Sequence, residues 1–230
     1  MNFAATGNPA AAEAELRHLV SDLFHQLTQP LTIMRCSLEL ALLQAPSAEQ
    51  YGEIVGRVLR QAEQASWLVT AIRELFDATQ AGEDSQVLEL RSAVEDAVSD
   101  LLPVAEAAGV QICCLPLAAC PVWFDAPRLR QGLFHLLGSM VGSGERGAMV
   151  KIELNRCGAE GLLALTVSGA KKDGPSSAGS DQEHPPQELV RRLGSGIARA
   201  IFEAAGASFT WERTAKTVSV EVRFLRNLAP

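Results

Sequence analysis

Leu16, Val20, Leu23, Leu27, Leu31, Met34, Leu38 and Leu42 recur at spacings of three and four residues. At ~100° per residue this places them on one stripe of one helix. The segment Ala45-Pro46-Ser47 interrupts the pattern, because proline cannot continue a helix interior. A second stripe follows through Ile54, Val58, Ala62, Ala65, Leu68, Val69, Ile72, Leu75 and Phe76. The first part of the chain, residues 1–82, is therefore expected to be a helical hairpin. Two helices bury two such stripes poorly, whereas two hairpins paired in a four-helix bundle bury them well, so a homodimer is expected. The alternative is a hairpin that packs on its own C-terminal domain.

Gly82-Glu83-Asp84-Ser85 reads as a linker, and beyond it the period changes. Strand-like runs fall at 87–90, 110–115, 122–124, 149–155, 162–168, 207–212 and 217–224. Helical runs fall at 92–108, 127–141 and 187–205. This order fits a second domain, 86–230, with a mixed sheet covered on one face by helices. Residues 169–186, rich in Gly, Ser, Pro and charge, read as a long loop. The fold class is thus α+β.

Composition narrows the function. Of 230 residues, 47% are hydrophobic and 20% charged, as in soluble globular chains. A formal net charge of −7 gives no footprint for nucleic acid. No apolar run reaches the roughly 18 residues of a membrane span, and the N-terminus lacks a signal-peptide pattern; a cytoplasmic location is expected. Cys36, Cys113, Cys114, Cys120 and Cys157 show no CxxC spacing, so they are read as reduced structural thiols, and no metal site is expected. Trp67, Trp123 and Trp211 are read as core or interface residues.

His25 lies ~200° around the first helix from Leu23, while the apolar stripe centres near ~50°. It should therefore face solvent, where an unprotonated imidazole nitrogen can attack phosphorus near neutral pH. One turn later the chain has Pro30, which costs about 3 kcal/mol inside a helix through a lost hydrogen bond and a clash with the carbonyl of Gln26. His18, two turns before His25, and His184, in the loop, are read as surface residues.

The segment Phe24-His25-Gln26-Leu27-Thr28-Gln29-Pro30-Leu31 resembles the phosphoacceptor box of bacterial sensor histidine kinases, His-Glu-Leu-Asn-Gln-Pro-Leu. The resemblance implies a dimeric hairpin whose histidine, here His25, passes a phosphoryl group to an aspartate of a response-regulator receiver domain. The family places a carboxylate directly after the histidine, where it can orient or accept the imidazole proton. This chain has Gln26, which hydrogen-bonds but takes up no proton at neutral pH. Attack on ATP should suffer more from that change than exchange with an aspartyl phosphate. Gln29 matches a position from which a polar residue can orient water.

Asp125-Ala126-Pro127-Arg128-Leu129-Arg130-Gln131-Gly132-Leu133-Phe134-His135-Leu136-Leu137-Gly138-Ser139-Met140 is similar to the family's asparagine-box helix, and Gly194-Ser195-Gly196-Ile197 to its second glycine box. Together they imply a GHKL (Bergerat-like) α/β sandwich, the fold that binds Mg²⁺-ATP in the family. His135 and Ser139 stand where the family has asparagines that hold metal and phosphate; magnesium prefers oxygen ligands. Gly194 and Gly196 would let backbone amides approach an anion. At the first glycine box, Ser168-Gly169-Ala170-Lys171-Lys172 carries no adenine-binding carboxylate, with Asp173-Gly174 a few residues on.

Three functions follow from these residues. The first is a histidine phosphotransferase carrying phosphate on His25 between receiver aspartates, with no cofactor and little or no use of ATP. The second is a Mg²⁺-ATP-dependent autokinase with an atypical nucleotide site. The third is a receiver-binding adaptor without chemistry.

Overall fold

The computed structural model describes residues 9–44, 46–80, 82, 84–158, 160–171 and 187–225, with side chains from Val20 onward in the first helix and from Val190 onward in the last. Helices α1 (Pro9–Gln44) and α2 (Ala48–Ala78) form the hairpin. Its turn is set by Pro46 and by a capping box: Ser47 N donates to Gln50 Oε1 at 2.9 Å and Gln50 N to Ser47 Oγ at 3.3 Å. Pro30 lies inside α1 and is buried. The hydroxyls of Thr28 and Thr32 donate to the carbonyls of Phe24 and Thr28 at 2.9 and 2.8 Å. These bonds brace the turn around Gln26, whose carbonyl has no donor at residue 30.

The second part runs β1 (Ser85–Glu89), α3 (Leu90–Ala108), β2 (Gln111–Cys114), β3 (Pro121–Asp125), α4 (Ala126–Ser143), β4 (Gly144–Cys157), β5 (Glu160–Ala170), α5 (Gln187–Ala204), β6 (Ser208–Arg213) and β7 (Thr217–Leu225). Helix α3 ends on Gly109 at φ 69°, a left-handed cap that glycine adopts without strain. Five strands form a mixed sheet in the order β2-β4-β5-β7-β6, while β1 and β3 make a separate antiparallel ribbon. Only the β2–β4 pair of the sheet is parallel.

Register explains why one face of this sheet is covered. Val150 pairs with Val167, Ile152 with Leu165 and Leu154 with Leu163; these pair onward with Val218, Val220 and Val222. All nine are buried, and their alternate neighbours Lys151, Glu153, Thr166, Ser219 and Glu221 project from the other face. Helices α3, α4 and α5 supply the second layer. Phe124, Phe202 and Phe224 meet edge-on beneath them, with centroids 5.5 to 6.2 Å apart.

Several expectations need correction. The first apolar stripe divides. Leu23, Pro30 and Ala41 are buried with Leu27 and Met34 partly so, whereas Leu31, Leu38 and Leu42 stay exposed. The inward line runs at −20° to +40° from Leu23 and the exposed line at ~60° to 100°, so a single stripe conceals two lanes. The hairpin also docks on its own α/β domain: Leu23, Leu68, Ala71, Leu75 and Ala78 belong to one continuous core with that domain.

Strand β5 continues through Ala170, so the expected loop begins later than residue 169; residues 172–186, with His184, lie outside the described set, as does the side chain of His18. Trp67 and Trp211 pack partly buried against the core, but Trp123 is exposed opposite Val87 on the ribbon. Only Cys120 is a buried thiol; Cys36, Cys114 and Cys157 are exposed. Among the described residues no helix is long and apolar enough to cross a membrane, and no group of three His, Cys, Asp or Glu side chains could hold a metal ion.

Candidate functional site

His25 is exposed on α1, as the helical period requires, and Gln29 is exposed one turn on; Gln26 is half-buried. The three side chains share the stretch of α1 that begins where the α/β domain docks. Leu23 and Leu27 anchor that stretch from beneath, so the histidine stands on a helix whose opposite face is fixed. Phe24, adjacent in sequence, remains exposed together with Leu31 and Leu38 on α1, and with Val69 and Phe76 on α2.

The second cluster lies where α4 crosses α5. Ser139 is buried, and its Oγ lies 2.8 Å from the carbonyl of His135 and 3.1 Å from that of Arg191. Its single proton is therefore committed to backbone oxygens that belong to both helices. Gly194 packs directly on it: a Cβ there would stand 2.5 Å from Ser139 Oγ and 3.2 Å from the His135 carbonyl. Gly194 and Gly196 are both interior residues of α5, not of a loop at its entry. Their amides face along a helix, where intrahelical bonding occupies them.

The structure thus brings His135, Ser139 and Gly194 together, but as a close helix crossing. Gly194 and Gly196 were expected to let backbone amides approach an anion; they lie within α5, and Gly194 packs on Ser139. Of the two positions matched to the family's metal-holding asparagines, one is an imidazole, and the other is a hydroxyl already engaged with backbone carbonyls. At the end of β5, Gly169 has φ 82° and its amide donates to the Lys216 carbonyl at 3.2 Å. The amide of Lys171 donates to the Ser143 carbonyl at 2.8 Å, closing the end of α4. Asp173-Gly174 lies outside the described residues.

His135 faces the hairpin instead. Its Nε2 is 3.8 Å from Glu74 Oε2 on α2. Burial pulls the His135 pKa below the ordinary histidine value, and the Glu74 carboxylate partly opposes that shift.

Two further ties join the halves. Arg128 donates from Nη2 to the Asp77 carbonyl at 2.9 Å and from Nη1 to the Ala78 carbonyl at 3.4 Å. A cation thereby sits on the C-terminal carbonyls of α2, where the helix dipole is negative. Arg192 of α5 pairs with Asp22 of α1 at 3.0 Å. Sequence reasoning missed Glu74, Arg192 and Asp22, since nothing in a local pattern says which exposed charges meet across a domain junction.

A two-helix hairpin bearing an exposed histidine, docked on a two-layer α/β domain, defines a histidine-kinase-like architecture. Comparison makes this concrete: residues 15–81 match the His Kinase A (phospho-acceptor) domain model. No curated protein matches the sequence. Among solved structures the chain is similar to the histidine kinase AdeS of Acinetobacter baumannii, at 18% identity over 88% of this chain and 98% of that one, with a TM-score of 0.60. It is similar to full-length ShkA in complex with AMPPNP, at 14% identity over 91% of this chain and 45% of that one, TM-score 0.53. A nucleotide-free catalytic domain of the histidine kinase ThkA gives 14% identity over 63% and 97%, TM-score 0.50. At these identities the likeness is one of fold. The chain thus carries a segment similar to a phospho-acceptor domain and shares its fold with solved histidine kinases.

Proposed function

We propose that this protein is a histidine phosphotransferase of a two-component phosphorelay, carrying a phosphoryl group on His25 between receiver-domain aspartates with little or no use of ATP. In the loading step the P–O bond of an acyl phosphate breaks, and the donor carboxylate leaves with the electron pair. A P–N bond forms to one imidazole nitrogen, and the ring releases its remaining proton to solvent. Unloading reverses these events on a second receiver. Gln26 and Gln29 flank the reaction as hydrogen-bonding groups that hold no proton at neutral pH.

The observation that carries this reading over an autokinase is the Ser139–Gly194 contact. The two positions that would meet metal and phosphate in the related kinases are spent on joining α4 to α5. The working form is a homodimer located in the cytoplasm. Phe24, Leu31, Leu38 and Leu42 on α1 and Val55, Val69 and Phe76 on α2 are exposed apolar side chains that a second copy would cover.

Incubation with a phosphorylated receiver is expected to place an acid-labile phosphate on His25 that is absent in His25→Ala. Titration with Mg²⁺-ATP is expected to leave thermal stability unchanged. The competing autokinase reading draws on the docking of α5 beside His25. Transfer from γ-labelled ATP to His25, in the absence of any receiver, would establish it and retire the proposal. A His25→Ala chain with full cellular activity would instead support a receiver-binding adaptor.

A further inference from the structure

Arg192 is placed by α5 against α1, and its guanidinium is held 3.0 Å from Asp22. Asp22 precedes His25 by three residues on one helix. Side chains at that spacing are neighbours, with Cβ atoms about 5–6 Å apart and ~60° between them around the axis. The guanidinium therefore sits beside the face from which the imidazole projects. Its helix is anchored just beyond it, where Leu193 and Ile197 are buried.

The pair is open to exchange. The Arg192 and Asp22 side chains are 46% and 50% exposed, so the bridge holds little free energy and can break without a large cost. A phosphoryl group on the neighbouring imidazole would carry up to two negative charges and three acceptor oxygens. The planar fork of an arginine matches such a group better than it matches a single carboxylate oxygen. Without the arginine, the same phosphoryl group would meet the bare carboxylate of Asp22 and be repelled.

We infer that Arg192 is a phosphoryl-binding residue of the α/β domain, parked on Asp22 when His25 is free and transferred to the phosphoryl group when His25 is loaded. This rests on the reading of His25 as a phosphoryl carrier. It assigns the α/β domain a part in phosphotransfer that requires no nucleotide: the domain delivers one cation to a helix that has none on that face within a turn of His25. Asp22 keeps that cation in place between turnovers.

The test uses the full chain and phosphoramidate, a small phosphoryl donor that needs no receiver. Its P–N bond breaks, ammonia leaves, and the new P–N bond forms on His25. Labelling rates are compared for wild type, R192A, R192K, D22N and the double variant D22N/R192A, with thermal unfolding to verify that each is folded. R192A is expected to label roughly tenfold more slowly, as befits loss of a charge-assisted contact to the transferring group. R192K should recover part of the rate, and D22N should equal or exceed wild type. The double variant should outpace R192A, since the repelling carboxylate is gone. Raising the salt concentration should slow wild type more than R192A. A folded R192A that labels at the wild-type rate, or an R192K no faster than R192A, overturns the role of Arg192 while leaving His25 as carrier. Absence of any acid-labile label on wild type, from phosphoramidate and from a phosphorylated receiver alike, overturns the phosphotransfer reading and this inference with it.

Discussion

If Ser139 and Gly194 form a true close crossing, replacing either should change what the other tolerates. Alanine at 194 gains helix propensity of about 1 kcal/mol over glycine in a helix interior. Against this stands a Cβ placed 2.5 Å from Ser139 Oγ and 3.2 Å from the His135 carbonyl. The hydroxyl cannot swing away freely, because it bridges the carbonyls of His135 and Arg191. Overpacking of this kind costs about 1–3 kcal/mol, so Gly194→Ala should be destabilising by about 1 kcal/mol net. Ser139→Ala alone loses a hydrogen bond worth about 0.5–1.5 kcal/mol. In the double variant the hydroxyl is gone, and the nearest side-chain atom of residue 139 is its Cβ, 3.9 Å away and in ordinary contact. Alanine at 194 should then cost little, with only the 3.2 Å approach to the His135 carbonyl left to offset its helix propensity. The cycle predicts a double variant more stable than the sum of the singles by about 1–2 kcal/mol. Urea unfolding of the four proteins measures this. Additivity within about 0.5 kcal/mol would mean the crossing is looser than described, and with it would go the argument that these positions are closed to phosphate.

Three further outcomes follow from the same contacts. Burial lowers the folded-state pKa of His135, so the unfolded chain takes up the proton first; its contribution to stability is complete above about pH 6.5 and is lost as pH falls through the folded value. The thermal midpoint of His135→Gln should therefore depend less on pH between 7 and 5 than that of wild type, and an unchanged slope would remove this histidine from the account. Gly161→Ala drives a Cβ into Cys120 Sγ opposite the β5–β7 pair of Gly161 and Phe224, and should cost about 1–3 kcal/mol in chemical unfolding, with Cys120→Ala restoring much of it; failure of that rescue would show the clash to be elsewhere. Arg128→Ala removes two bonds to the last carbonyls of α2 and should speed hydrogen exchange in that turn while sparing the sheet; exchange unaltered there would deny Arg128 its docking role.

Periodicity revealed most of this fold because each element buries one face. The sheet's alternation of Val150, Ile152 and Leu154 with polar neighbours is a local signal, and so is the break at Pro46-Ser47. His25 was legible for the same reason: a polar residue ~150° from an apolar stripe can only face outward. What escaped was longer in range. The first helix carries enough leucine for two lanes, and a leucine turned toward a partner helix reads like a leucine turned to solvent. Only tertiary packing separates Leu23, fully buried, from Leu42, 83% exposed. The glycines of Gly194-Ser195-Gly196 were read as letting backbone amides approach an anion. In the fold Gly194 serves by having no side chain, which lets α5 approach Ser139. A glycine's two uses, freedom and thinness, are indistinguishable without the neighbouring helix.

The two halves of the molecule are therefore coupled at three points that also bracket the candidate chemistry. Arg128 holds the end of α2, His135 meets Glu74 a turn earlier, and Arg192 reaches Asp22 beside His25. The first is a fixed dipole contact, the second is weakened by acid only through the cost of charging a buried ring, and the third exchanges readily in solvent. That gradient matters for a carrier. A domain that must stay attached while a receiver approaches needs firm contacts far from the histidine and a labile one next to it. The apolar junction of Leu23, Leu68, Ala71 and Leu75, continuous with the core of the α/β domain, opposes withdrawal. On the proposed reading, that apolar junction keeps the α/β domain beside His25 while receivers come and go.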